Sequence, residues 1–460
     1  MSVPAVGWGP MSRPKAAVWV LSIAAALGAI ALLGNAGIVF ALLIAFFLTG
    51  MPISIALGLT VLVFLFVLTE VPTEAVALKL FTGLERFEIM AIPFFILAGT
   101  FLTHGGVARR MIRFATSMVG HWYGGLGLAG VLACALFAAV SGSSPATVVA
   151  IGSILMPAMV RAGFPNRFGA GVISTSGALG ILIPPSIVMV MYAVATNASV
   201  GALFMAGVIP GIVLATMLGL TTWYRARKFR YPRQPKASWG ERWRTFRESV
   251  WGLLLIVVVM GGIYTGIFTP TEAAAMSAVY AFFVAVFVYK DLGLKDVPRV
   301  LLNSANLSAM LLYIITNAIL FSFLMTHENI PQTIADWMLA QGLGAIAFLL
   351  FVNLLLLVAG TLMEPSSIVL ILAPILFPVA VKLGIDPVHF GIIMVVNMEI
   401  GMVTPPVGLN LYVASGITKM GLTELTVAVW PWLLTMLVFL IVITYWPPLS
   451  LWLPRALGMM

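Results

Sequence analysis

Two short polar runs interrupt long apolar stretches of this 460-residue chain: Ser141-Gly142-Ser143-Ser144-Pro145-Ala146-Thr147 and Gly360-Thr361-Leu362-Met363-Glu364-Pro365-Ser366-Ser367. A backbone broken at membrane depth leaves N–H and C=O groups without helical partners, which is tolerated only where protein or a water-filled site satisfies them. Freed carbonyls and Ser or Thr hydroxyls are hard oxygen ligands suited to a small cation. The exposed N-terminus of the helix that follows carries partial positive charge suited to a carboxylate. A tip of this kind can hold an ion and an acid together, although each run taken alone fits an ordinary interhelical loop equally well.

A second pair of runs is Gly180-Ile181-Leu182-Ile183-Pro184-Pro185-Ser186 and Gly401-Met402-Val403-Thr404-Pro405-Pro406-Val407-Gly408. Proline inside a helix removes a hydrogen bond and clashes with the preceding turn, at a cost of about 3 kcal/mol. Two adjacent prolines with a glycine four residues before the first make a true break rather than a kink. One such site fits a kinked helix with no ionic role; two at related positions favour binding. The expectation is one cation site between the first tip and the first break, another between the second tip and the second break, and the substrate between them.

The acidic residues nearest membrane depth are Glu272, Glu364 and Glu399, where a charge costs about 2.5–3.5 kcal/mol on insertion scales. Glu364 lies in a tip and Glu399 just before a break, so both are candidates for ion or substrate control, with Asn397 and Thr404 as neutral neighbours. Glu272 follows Thr269-Pro270-Thr271 and is expected to cap a helix. His104, His121, His327 and His389 fall at span ends without metal-ligand spacing and are expected at the interface, as are Trp223, Trp239, Trp243, Trp430, Trp432 and Trp446. The chain carries no Walker-type glycine loop, no intramembrane Asp pair, no H-E-x-x-H and no G-x-S-x-G. It is not expected to be an enzyme or to carry an enzymatic cofactor.

The elements that must position these groups follow from composition. The chain is 62% hydrophobic and 8% charged, where soluble domains carry about a quarter charged residues. With mean hydropathy +1.11, it can cross a bilayer about ten times at roughly 20 residues per span. The formal charge of +9 is concentrated between apolar runs, which marks topology rather than nucleic-acid binding. The single cysteine, Cys134, lies in an apolar run, so no disulfide or zinc cluster is available within the chain.

Crossings are expected at 16–33, 37–48, 53–69, 89–103, 169–197, 202–223, 250–267, 272–289, 300–324, 392–417 and 427–445. If the basic stretch 225–247 is cytoplasmic, counting spans places inside all but Lys79, Arg86, Lys382 and Arg455 of the 24 Lys and Arg residues. The count works only if 123–160 and 345–381 return to the side they came from, as re-entrant hairpins. This puts the N-terminus in the cytoplasm and the C-terminus outside.

The two halves also echo each other. The offset that carries Gly180, Pro184 and Pro185 onto Gly401, Pro405 and Pro406 carries Pro157 onto Pro378 and Gly163 onto Gly384. The first hairpin opens to the cytoplasm and the second to the outside, so the halves are related by inversion, the layout of secondary transporters. The expected fold is an all-α polytopic membrane protein with inverted repeats, two re-entrant hairpins and two broken helices. Its expected divisions are an extra N-terminal helix (1–36), a first repeat (37–224), a basic cytoplasmic loop (225–249) and a second repeat (250–460).

Four runs taken together, V-S-G-S-S-P-A-T, G-A-L-G-I-L-I-P-P-S, T-P-T-E-A-A-A and G-M-V-T-P-P-V-G-L-N, are highly specific. On them the chain resembles the large membrane subunit of tripartite ATP-independent periplasmic (TRAP) transporters, over about residues 38–445. The resemblance implies an elevator-type sodium symporter of the bacterial inner membrane, taking small organic anions, carboxylates above all, from a periplasmic substrate-binding protein. It also implies a small four-helix membrane subunit as partner. Sodium ligands carried over by motif are Ser141, Gly142, Ser143 and Ser144 with Gly180 and Ile183, and Gly360, Thr361 and Glu364 with Gly401, Val403 and Thr404. Ser144, Pro145, Pro185, Ser366, Asn397 and Pro406 are expected to face the substrate. The alternative is a self-sufficient dicarboxylate or citrate symporter that needs no binding protein.

Overall fold

Apolar runs of helix length alternate here with proline and glycine, and the helices start and stop at those residues. A computed structural model describes residues 34–69 and 71–460, all helix and connection with no strand among them. The expected first crossing, 16–33, lies outside the described residues. The first half runs α1 (Gly34–Leu48), α2 (Ile53–Leu68), α3 (Thr73–Leu84), α4 (Ala91–His104), α5 (Val107–Val119), α6 (Gly125–Ser141), α7 (Ser144–Arg161), α8 (Asn166–Gly177), α9 (Ile187–Thr196) and α10 (Val200–Lys228). The second runs α11 (Trp239–Tyr264), α12 (Pro270–Phe283), α13 (Val297–His327), α14 (Ile330–Ala340), α15 (Ala345–Leu362), α16 (Pro365–Lys382), α17 (Pro387–Gly401), α18 (Leu409–Thr418), α19 (Leu422–Tyr445) and α20 (Pro448–Ala456). Among the described residues nine helical stretches have the length and apolarity to cross a membrane.

Both expected hairpins are present, as α6 with α7 and α15 with α16, and both expected breaks separate helix pairs, α8 from α9 and α17 from α18. The packing repeats in mirrored form. α18 lies on α7 while α9 lies on α16; α19 lies on α8 while α10 lies on α17; α13 lies on α2 while α12 lies on α4. Each broken helix thus sends its second half against the hairpin of the other repeat, which is the exchange an inverted pair requires.

Local chemistry fixes the helix starts. Thr269 and Glu272 form a full capping box: Thr269 Oγ1 accepts from the Glu272 N–H at 3.3 Å, and Glu272 Oε2 accepts from the Thr269 N–H at 2.8 Å. Glu272 is a capping residue, as its position after Thr269-Pro270-Thr271 predicts. Thr269→Ala is expected to remove about 1 kcal/mol, read as a lower thermal-unfolding midpoint of the purified protein; an unchanged midpoint contradicts the assignment.

The structure departs from the sequence expectations at several places. The basic stretch is largely helical: α10 continues to Lys228 and α11 begins at Trp239, so only the ten-odd residues between them form a connection. The connection expected between the crossing 89–103 and the hairpin 123–160 contains α5, in which Val107, Ala108, Met111, Ile112 and Ala115 make one buried face beneath Arg109 and Arg113. His389 lies at the start of α17 but is not solvent-exposed. It is buried in α17, its Nδ1 within 2.7 Å of Ser450 Oγ, and so ties α17 to α20. Trp432 is likewise buried, its Nε1 donating to Thr222 Oγ1 at 2.8 Å, whereas Trp239, Trp243, Trp430 and Trp446 are exposed.

Candidate cation and substrate site

The first hairpin turns in two residues. α6 ends at Ser141, Gly142 adopts the left-handed conformation (φ +60°), and Ser143 is extended before α7 begins at Ser144. Ser141 Oγ lies 2.8 Å from Thr147 Oγ1, which itself donates to the Ser143 carbonyl at 2.9 Å. The tip is pressed onto the first break. A methyl group at Gly180 would fall 2.6 Å from the Ser143 carbonyl oxygen, and one at Gly142 would fall 2.9 Å from the Pro185 carbonyl oxygen. Ser141, Gly142, Ser143, Ser144, Gly180 and Pro185 therefore meet as expected. Ile183 is half-buried beside them, Pro145 is half-buried at the start of α7, and Ser186 caps α9 through the Met189 N–H.

The second hairpin meets the second break in the same manner. Gly360 and Gly401 touch backbone to backbone: a methyl group at Gly401 would fall 2.5 Å from the Gly360 Cα. The Thr361 carbonyl accepts from the Val407 N–H at 3.2 Å and lies 3.4 Å from the Gly408 nitrogen. Thr404 Oγ1 donates to the Ile400 carbonyl at 2.7 Å, and Val403 is buried. Glu364 is turned onto its own helix start, where its oxygens accept from Ser366 Oγ at 2.6 Å and from the Ser367 N–H at 3.2 Å. That is a cap, and it leaves the carboxylate further acceptor capacity. The breaks differ in exposure: Pro184 and Pro185 are buried, whereas Pro405 and Pro406 are exposed.

Asn353, Thr444 and Asn410 escaped the sequence reading, as did the partners of Asn397 and Ser144. Asn397 Nδ2 donates to Asn353 Oδ1 at 2.8 Å, and Asn353 Nδ2 donates to Thr444 Oγ1 at 3.0 Å, a buried chain from α17 through α15 to α19. Asn410 Nδ2 donates to Ser144 Oγ at 2.7 Å, across the two repeats. Only the polar character of these residues in apolar runs could have flagged them; their pairing is tertiary. Glu399 is fully buried with neither carboxylate oxygen hydrogen-bonded. Groups of three or more His, Cys, Asp or Glu side chains are lacking among the described residues, so the oxygens on offer to a cation are carbonyls and hydroxyls, joined at the second tip by the Glu364 carboxylate, all suited to a hard ion.

The N-termini of α7, α9, α16 and α18 start at these tips and breaks, presenting positive dipole ends where an anion can lie between the carbonyl-rich turns. Fold and site together define a membrane transporter built from inverted repeats. The chain matches the family model described as "Tripartite ATP-independent periplasmic transporter, DctM component" over residues 40–449. It is 75% identical over 439 residues to the C4-dicarboxylate TRAP transporter large permease protein DctM of Rhodobacter capsulatus, covering 92% of this chain and 100% of that protein. The DctM permease of Pseudomonas aeruginosa is 55% identical over 404 residues, covering 88% and 95%. Among solved structures, the Alcanivorax borkumensis YdaH transporter superposes with TM-score 0.59 at 14% identity, covering 81% of this chain and 87% of that one, a likeness of fold alone. The chain belongs to the DctM family of TRAP transporter large permeases, and is a multi-pass membrane transport subunit rather than an enzyme.

Proposed function

We propose that this chain is the permease of a sodium-driven importer of C4-dicarboxylates in the bacterial inner membrane, fed by a periplasmic substrate-binding protein and completed by a small four-helix membrane subunit. The observation that carries this reading is the mirrored clamp of hairpin tip on broken helix, at Gly180 against Ser143 and at Gly401 against Gly360. Each clamp offers carbonyl and hydroxyl oxygens to a cation, and the helix starts beside them suit the carboxylates of the substrate. The dicarboxylate assignment rests on the names of the relatives at 75% and 55% identity. An isethionate permease at 43% identity carries a sulfonate by its name, so the shared demand is a small organic anion.

Transport by an elevator movement fits this arrangement. α12 packs on α4 and α13 on α2 and α4, while α7 packs with α8 and α18 and α16 with α9 and α17; the two groups meet where α4 touches α6 and α13 touches α16. A largely apolar groove of about 1430 Å³ lies among α6, α10 and α11 and reaches Ile183 and Pro184 of the first break. Its mostly apolar lining, beside the direct contacts of α6 with α10 and α11, supports relative movement of the first hairpin against these helices. The charge bias of the connections supports a cytoplasmic N-terminus and a periplasmic C-terminus.

The test is uptake of a labelled C4-dicarboxylate into proteoliposomes holding both membrane subunits, with receptor outside and an imposed sodium gradient. Ser143→Ala and Thr404→Ala are each expected to raise half-saturating sodium about fivefold, the loss of roughly one net hydrogen-bond-sized contact. Unchanged sodium dependence in both variants removes these assignments. Uptake that is indifferent to omission of the receptor favours the self-sufficient symporter instead.

A further inference from the structure

Asn410, which no motif reading singles out as a ligand, holds hydrogen bonds to both clamps. It is the second residue of α18 and fully buried. Its side-chain Nδ2 donates to Ser144 Oγ of the first tip at 2.7 Å and lies 3.4 Å from the Ser174 carbonyl. Its main-chain N–H donates at 2.9 Å to the carbonyl of Met402, the residue after Gly401 in the second break. One residue therefore connects the two candidate cation sites, which belong to opposite repeats.

The amide is not satisfied as a purely structural one would be. Asn410 Oδ1 is buried with no partner, and a buried carbonyl without a donor is destabilising; such exceptions call for a functional account. Ser144 Oγ, accepting from Nδ2, keeps a second lone pair, so a cation at the first tip would draw on the same oxygen that Asn410 holds. Any shift of that amide acts on the α18 start, and through the Met402 carbonyl on the second break. The link is one-sided. The position matching Asn410 in the first repeat, by the offset that relates Gly180 to Gly401, is Met189, whose side chain lacks a hydrogen-bond donor.

We propose that Asn410 is a positioning residue that couples the two cation sites, so that filling the clamp at Ser144 raises the affinity of the clamp at Gly401. This rests on the cation reading above. The test is a sodium titration of dicarboxylate uptake in the assembled transporter, comparing wild type with Asn410→Leu, which keeps the shape of the side chain, and Asn410→Ala. The wild type is expected to show a Hill coefficient near 2. Both variants are expected to fall toward 1 with half-saturating sodium raised about fivefold, the lower end of usual allosteric couplings. A thermal-unfolding midpoint taken without sodium separates this from general damage, since a packing defect lowers the midpoint without flattening the titration. A Hill coefficient that stays at the wild-type value in either folded variant overturns the proposal, and a wild-type coefficient near 1 overturns it without any variant. Uptake by the wild type that ignores sodium altogether removes the cation reading, and the coupling with it.

Discussion

Gly401→Ala is expected to lower sodium-driven uptake at least about a hundredfold while leaving the protein in the membrane. The added methyl would sit 2.5 Å from the Gly360 Cα and 2.6 Å from the Gly360 carbonyl carbon. These are backbone atoms, which have no rotamer by which to retreat, so hairpin and broken helix must separate. Overpacking of this kind costs about 1–3 kcal/mol, and the displacement moves the oxygens on which cation binding depends; an ångström of misplacement in a functional site is worth about a hundredfold. Gly180→Ala is expected to do the same at the first clamp, where the methyl meets the Ser143 carbonyl oxygen at 2.6 Å. Gly416 has open space around its Cβ position, and Gly416→Ala should transport as the wild type does. Uptake rates in the three variants, normalised to protein in the membrane, check this; normal uptake by Gly401→Ala would refute the close-contact account.

The largest expected loss of stability is at Trp432. It is buried where α19 crosses α8 and α10: a methyl group at Gly171 would fall 2.5 Å from its ring, and its Nε1 donates to Thr222 Oγ1. In lipid the drive to bring helices together is packing and interhelical hydrogen bonding rather than removal of apolar surface from water, and this side chain supplies both. Trp432→Ala is expected to cost about 3–5 kcal/mol, read as a marked fall in the thermal-unfolding midpoint of the purified protein. Trp432→Phe keeps most of the packing and should lose roughly 1 kcal/mol with the hydrogen bond. Equal midpoints for Trp432→Ala and the wild type would contradict the buried placement.

Much of the frame was legible in the sequence because its signals are local. Pro184-Pro185 and Pro405-Pro406 cannot continue a helix, the Ser-rich and Glu-Pro tips interrupt apolar runs, and the common offset between halves needs no structure to be noticed. Thr269 and Glu272 carry their capping box in four consecutive residues. What stayed hidden is tertiary. Asn410 and Ser144 are remote in the chain and joined by one hydrogen bond, and Asn353 reads as one polar residue on an apolar helix until Asn397 and Thr444 are seen on either side. Trp432 and His389 were expected at the interface, and the buried partners that hold them, in α10 and α20 respectively, could not be read from the sequence. α5 falls in the connection between 89–103 and 123–160, where Arg109, Arg110 and Arg113 interrupt apolar residues that keep a 3.6-residue period. Gly360 and Gly401 were named for the tip and break they belong to, but their direct contact could be known only from the packed backbone.

Equilibrium binding of radiolabelled sodium to the purified permease, counted per chain, addresses the paired clamps most directly. Two mirrored sites predict saturation near two ions in the wild type and near one in each of Gly180→Ala and Gly401→Ala. Saturation at one ion or none in the wild type, or both ions retained in both variants, would contradict the account.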